Sequence, residues 1–236
     1  MTLPRSFPLI LLASCGFALA ATEPPKEEVP LEQLAAKAAA AATSGKTKEA
    51  VQLYSQWMDR DPMNPLARAS LGSALYQDGQ WDKARLQLER AVLIEPKLAG
   101  SWATLGLLYD RGGEDWLAVS AYSRAVHLEP RIARHRVLLA LALEKRGWRD
   151  AAESCLQEAA TLDPRSADAQ FNLAALALRR TPPATETARR HYQSALKLGA
   201  SPDADIEEIL GIGAPGNDRA KKDAKDKPKK ETQKSR

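Results

Sequence analysis

Residues 99–132 read AGSWATLGLLYDRGGEDWLAVSAYSRAVHLEPRI. After Gly113 the apolar residues return at Ala118, Tyr122, Ala125 and Val126. That three- and four-residue interval is one face of a helix. Glycine permits the positive φ that closes a helix in a tight turn. Pro130 has no backbone N–H to donate, and it disfavours helix in the residue before it. The stretch therefore predicts a helix, a turn at glycine, a second helix and a stop at proline.

The same punctuation extends outward in both directions. Pro62, Pro96, Pro130 and Pro164 stand 34 residues apart, as do Ala50, Ala84, Ala118 and Ala152, and Gly45, Gly79, Gly113 and Gly147. Three residue types holding one period and one phase mark an internal repeat. Alanine at a fixed phase lets two helices approach closely. Abundant Ala and Leu, with few aromatic residues, also favour an all-helical chain.

Trp102, Leu105-Gly106 and Tyr109, followed by Ala118, Tyr122 and Pro130, resemble the tetratricopeptide-repeat (TPR) signature almost residue for residue. Residues 65–98 carry Leu71-Gly72, Gly79, Ala84, Ala91 and Pro96, and residues 133–166 carry Leu139-Ala140, Gly147, Ala152, Ala159 and Pro164. The resemblance implies an all-α fold, a TPR α-solenoid of about five helix-turn-helix repeats plus a C-terminal capping helix. The expected units are 31–64, 65–98, 99–132, 133–166 and 167–202, with a cap at 203–210. The first unit departs from the pattern through its Ala38–Ala42 run, so its first helix should pack thinly. In the fifth, Thr181-Pro182-Pro183 lengthens the turn, and the unit ends at Gly199 without a proline in phase. Asp203, Asp205, Glu207 and Glu208 suit the start of a short last helix, and a partly polar terminal helix is what a solenoid needs as a cap.

The flanks read differently. Residues 1–20 have the pattern of an export signal: Arg5, an apolar run from Leu9 to Leu19, then Ala18-Leu19-Ala20 as a small-x-small cleavage site. Leu12-Ala13-Ser14-Cys15 competes with it, because it resembles the bacterial lipobox in which the cysteine is lipidated. Cleavage after Ala20, lipidation at Cys15 and an uncleaved anchor all stay open. The chain is thus expected to be exported and periplasmic or outer-membrane-associated. Residues 21–30 form a Pro/Glu linker. Residues 211–236 are a lysine-rich tail expected to be disordered. From Gly216 to Arg236, seven Lys and two Arg oppose three Asp and one Glu, a charge of +5 out of a whole-chain +4. The body is therefore near −1, and the basic character belongs to the tail. Its contact with membrane or nucleic acid would be weak and non-specific.

Patterns that look like chemistry do not survive their context. Ala40 to Thr47 ends in Ser-Gly-Lys-Thr, but a phosphate-binding loop needs a strand before it, and here a helix is expected. Gly211, Gly213 and Gly216 fit G-x-G-x-x-G, but Pro215 interrupts it and neither strand nor helix flanks it. His127, His135 and His191 lack a completing set of ligands at metal-binding spacing. Cys155 has no activating partner in sequence. No catalytic residue, cofactor or metal is expected, and the chain reads as a binding protein rather than an enzyme. Trp81, Trp116 and Trp148 begin the second helices of their units and are expected to wedge between neighbouring repeats.

What the resemblance implies about binding concerns the first helix of each hairpin, which similar arrays present on a concave face. The residues there outside the signature include Tyr76, Leu107, Asp110, Arg111, Val137, Leu141, Lys145, Phe171 and Arg179. Leu107, Val137, Leu141 and Phe171 make an apolar middle. Arg111, Lys145 and Arg179 place cations at the edge. That combination suits a protein or peptide partner with apolar anchors and some acidic character. The Lys/Asn/Arg carboxylate clamp of chaperone-binding TPRs is matched only at Asn172, and not at Ala69, Ser73 or Leu138. The expected role is a scaffold or adaptor in the bacterial cell envelope. The alternative is a lipoprotein resembling the TPR assembly factors of type IV pilus biogenesis.

Overall fold

A computed structural model describes residues 29–212. The leader with its cleavage and lipidation sites, most of the linker, and the lysine-rich tail from 213 onward lie outside the described residues. Eleven helices follow one another, and no strand occurs among the described residues. They form five antiparallel pairs: α1 (Leu31–Thr43) with α2 (Thr47–Arg60), α3 (Pro65–Gln77) with α4 (Trp81–Ile94), α5 (Ala99–Arg111) with α6 (Asp115–Leu128), α7 (Ala133–Lys145) with α8 (Arg149–Leu162), and α9 (Ala167–Leu178) with α10 (Thr185–Lys197). The short α11 (Ala204–Leu210) closes the series.

The phase-locked residues explain the hairpins. Gly79 has φ 77°, its N–H bonds to the Tyr76 carbonyl, and the Gln80 N–H bonds back to Leu75 at 2.9 Å. This pair of bonds satisfies carbonyls that the end of α3 would otherwise leave open. The same pair of bonds recurs around Gly45, Gly113 and Gly147. Between the helices, Ala50, Ala84, Ala118, Ala152 and Ala188 are all fully buried. Gly72 and Gly106 bring the first helix against the second. A Cβ on Gly72 would lie 2.6 Å from Leu88 Cγ, and one on Gly106 would overlap the Tyr122 ring.

Successive hairpins are tied at the proline corners. Trp102 Nε1 donates to the Pro96 carbonyl at 2.9 Å, Arg68 Nε to Pro62 at 2.8 Å, and Arg136 Nη2 to Pro130 at 3.2 Å. The position that the signature gives to tryptophan thus caps the preceding corner, and arginine does the same work in two repeats. The Trp81, Trp116 and Trp148 rings do not fill the gaps between repeats; they are 41%, 58% and 44% exposed. Each helix pair is already closed by alanine and glycine, so no gap of indole size is left. The rings lie on the rim, with Arg111 over Trp81, Arg146 over Trp116, and Trp116 edge-on to Trp148 at 5.3 Å.

The two ends differ. α1 buries only Leu34, Ala38 and Ala41. At the other end, the fully buried Tyr192 accepts the Asp203 N–H at 2.7 Å, and Asp203 caps α11 through the Ile206 N–H. Ile206 and Leu210 then close the core beneath α10. The turn from α9 to α10 spans 179–184, where the other hairpins use three residues.

Candidate protein-binding groove

First helices of neighbouring hairpins approach one another, α3 against α5 and α5 against α7, more closely than successive second helices do. The first helices therefore line the inner wall. The side chains on that wall change size along the array. At one recurring position they run Ala69, Ala103, Val137, Phe171; at another, Ser73, Leu107, Leu141, Ala175. The wall is recessed where Ala69, Ser73 and Ala103 stand, and filled by Leu107, Val137, Leu141 and Phe171.

The filled part holds the apolar candidates. Leu141 is 40% exposed, while Leu107 and Phe171 are half-buried. Val137 is only 6% exposed, so it offers an edge beside Ala133 and Ala167 rather than a full side chain. Tyr76 is half-buried against the core. Phe171 leans on Tyr192, with ring centroids 6.2 Å apart.

The charged candidates are engaged within the chain. Lys145 Nζ lies 2.9 Å from Asp110 and 2.8 Å from Asp115. These two carboxylates hold the Lys145 ammonium above its usual pKa. Arg179 pairs with Glu144, and Arg111 stacks on Trp81. The cations that the sequence places at the groove edge thus spend their charge on joining repeats. Asn172 donates to the Asp168 carbonyl at 2.8 Å, so the one clamp-like residue is also occupied.

In the recessed part lies an open cavity of about 410 Å³. Ala69, Ser73, Ala99 and Gly100 set its width, and Tyr54, Gln77, Lys97, Ser101 and Glu129 also border it. The sequence reading passed over Gly100 and Ser101. The available signal was that glycine at 100 stands where the flanking repeats carry Leu66 and Arg134.

Residues 41–105 and 134–166 match family profiles described as tetratricopeptide repeat. These two segments of the chain are tetratricopeptide repeats. The heat-shock protein cognate (HSC) co-chaperone sgt12 of Aspergillus fumigatus is 31% identical over 100 residues, which are 40% of this chain and 29% of that protein. This chain thus spans under a third of the curated relative it matches. Among solved structures, MamA from Desulfovibrio magneticus RS-1, residues 41 to its end, superposes with a TM-score of 0.64 at 20% identity, covering 74% of this chain and 97% of that one. YrrB, described as a TPR protein with an unusual peptide-binding site, superposes with a TM-score of 0.61 at 18% identity, covering 78% and 93%. At that identity both show the shared solenoid fold. Tetratricopeptide repeats are protein-interaction modules, and the matched segments of this chain are such repeats.

Proposed function

We propose that this TPR protein is an exported bacterial adaptor that holds a segment of a partner protein in its concave groove within the cell envelope. The observation that carries the reading is Leu141, exposed on the inner wall between half-buried Leu107 and Phe171. An apolar row on a concave wall is where an extended or helical segment gains most from leaving water. YrrB, by its description, uses the same kind of array to bind peptide. The export pattern of residues 1–20 supports the envelope. Crosslinking and pulldown of the mature protein from envelope extracts tests it. A partner captured by the wild type and lost with Leu141→Asp supports the groove, whereas capture indifferent to that change removes it.

A second reading rests on Leu12-Ala13-Ser14-Cys15. It makes the protein an outer-membrane lipoprotein and an assembly factor like those of type IV pilus biogenesis. Labelled palmitate incorporated by the wild type and not by Cys15→Ser would support it. An unlipidated mature chain beginning near Ala21 would exclude it.

A further inference from the structure

We propose that the corner between the third and fourth repeats is a pH-sensitive joint, in which protonation of the buried His135 releases the start of α7 from the end of α6. The joint would act whatever the groove holds. The array itself sets this corner apart. Ala67, Ser101 and Ala169 occupy the place of His135 in the other repeats. All four residues are buried, and His135 is only 7% exposed. One joint of the series therefore carries a titratable ring where the others carry a small neutral side chain.

The same corner is short of bonds. His135 Nδ1 is buried and has no hydrogen-bond partner among the described residues. Glu129 Oε2 lies 3.8 Å from it, beyond hydrogen-bond reach. The acids at the equivalent corners are tied down. Asp61 accepts from Asn64 Nδ2 at 2.9 Å, Glu95 from the Lys97 N–H at 3.0 Å, and Asp163 from the Arg165 N–H at 3.0 Å. The half-exposed Glu129 accepts no such bond among the described residues. Arg136 Nε, one residue on from His135, is also buried without a partner. The charged groups acting on the ring are Glu129 from the corner and Arg134 from α7 itself, and α6 presents the Ala125 carbonyl. Among the described residues, α5 and α8 place no charged group against it.

A neutral imidazole suits this setting and an imidazolium does not. Protonation puts a full charge in a buried site, with Arg134 beside it and the acid out of bonding range. Burial accordingly holds the His135 pKa below its ordinary value. Opening the corner to water relieves that charge. The opposite edge of the joint is held by Lys145, which reaches Asp110 at 2.9 Å and Asp115 at 2.8 Å. Opening on the proline side therefore swings α7 about that edge and changes the separation of Leu107 on α5 from Leu141 on α7.

Amide hydrogen exchange of the purified protein between pH 7.5 and pH 5, corrected for intrinsic rates, reads the joint directly. The Pro96 corner, with Ser101 in place of the histidine, is the control within the same molecule. Protection over residues 129–135 should be lost as the pH falls, while protection over residues 95–101 is kept. His135→Ala, which copies two other repeats, should keep protection at both corners throughout. Glu129→Gln removes the one facing acid, so its loss should begin at a lower pH than in wild type. Should His135→Ala fail to fold, the Glu129→Gln comparison still decides. Loss at both corners together, loss unchanged in His135→Ala, or loss in Glu129→Gln at the wild-type pH would each overturn the joint.

Discussion

Lys145 Nζ sits 2.9 Å from Asp110 Oδ1, joining the last turn of α7 to the last turn of α5 one repeat earlier. Glu144 and Arg179 make the equivalent link one repeat later with the same polarity, the acid on the earlier repeat and the cation on the later one. The groove edge of the third to fifth repeats is thus an internal chain of ion pairs. Its net charge toward a partner is small, and its role is to set the angle between hairpins.

Lys145→Met should therefore lower the urea midpoint slightly, because exposed ion pairs contribute little. The difference from wild type should disappear in about 1 M salt, where the screening length falls to about 3 Å. Affinity for a groove-bound peptide should stay within about twofold of wild type, since the ammonium is already paired. A large, salt-sensitive loss of affinity would mean that Lys145 leaves Asp110 to meet the partner.

The fold was legible because its determinants are local and repeated. Gly79 and its counterparts announce the turn by needing a positive φ, and Pro96 announces the corner by lacking an N–H. The groove was only partly legible. Sequence places Lys145 and Arg179 on the inner edge but cannot say that Asp110 and Glu144 reach them from the neighbouring repeat, because that pairing depends on the inter-repeat angle. Trp81, Trp116 and Trp148 were misread for a related reason: whether a ring enters a gap depends on the space that the alanines have already closed. The cavity beside Ser101 is a missing volume, visible in sequence only as glycine at 100 between Leu66 and Arg134.

Gly106 and Gly100 share one helix and should respond to alanine in opposite directions. A Cβ at Gly106 overlaps the Tyr122 ring, which is itself buried and has nowhere to move. Gly106→Ala should destabilise the array by about 1–3 kcal/mol, the usual cost of overpacking. At Gly100 the space is open, so Gly100→Ala should stabilise by about 0.5–1 kcal/mol through helix propensity alone. Chemical denaturation of both variants measures the contrast, and equal effects would contradict the close approach of α5 and α6.

Stability should fall as the pH drops below the ordinary histidine range. Burial lowers the pKa of His135, with Glu129 opposing and Arg134 adding to the effect, and burial likewise lowers that of His191. The unfolded chain then binds more protons than the folded one as pH falls below about 6.5. The stability present above that value is lost as pH falls through the folded-state pKa values. Melting temperature between pH 7.5 and pH 5 should decline in wild type and decline less in the His135→Leu, His191→Leu double variant. A steeper decline in the variant would reverse the sign assigned to these groups.

Leu141 and Phe171 are both candidate anchors, but only one separates binding from folding. Phe171 packs on Tyr192, whose hydroxyl in turn holds Asp203 and the start of α11. Phe171 is half-buried, so Phe171→Ala should cost about 1–3 kcal/mol, and loss of binding would follow from the weakened last repeat. Leu141 projects into solvent from α7, so Leu141→Asp should change stability by no more than about 0.5 kcal/mol. Any loss of partner with Leu141→Asp then reports on the surface itself. The decisive measurement is affinity and melting temperature taken together: Leu141→Asp should lose the partner at an unchanged melting temperature, and a partner retained by that variant but lost with Phe171→Ala would move the contact to the C-terminal repeat.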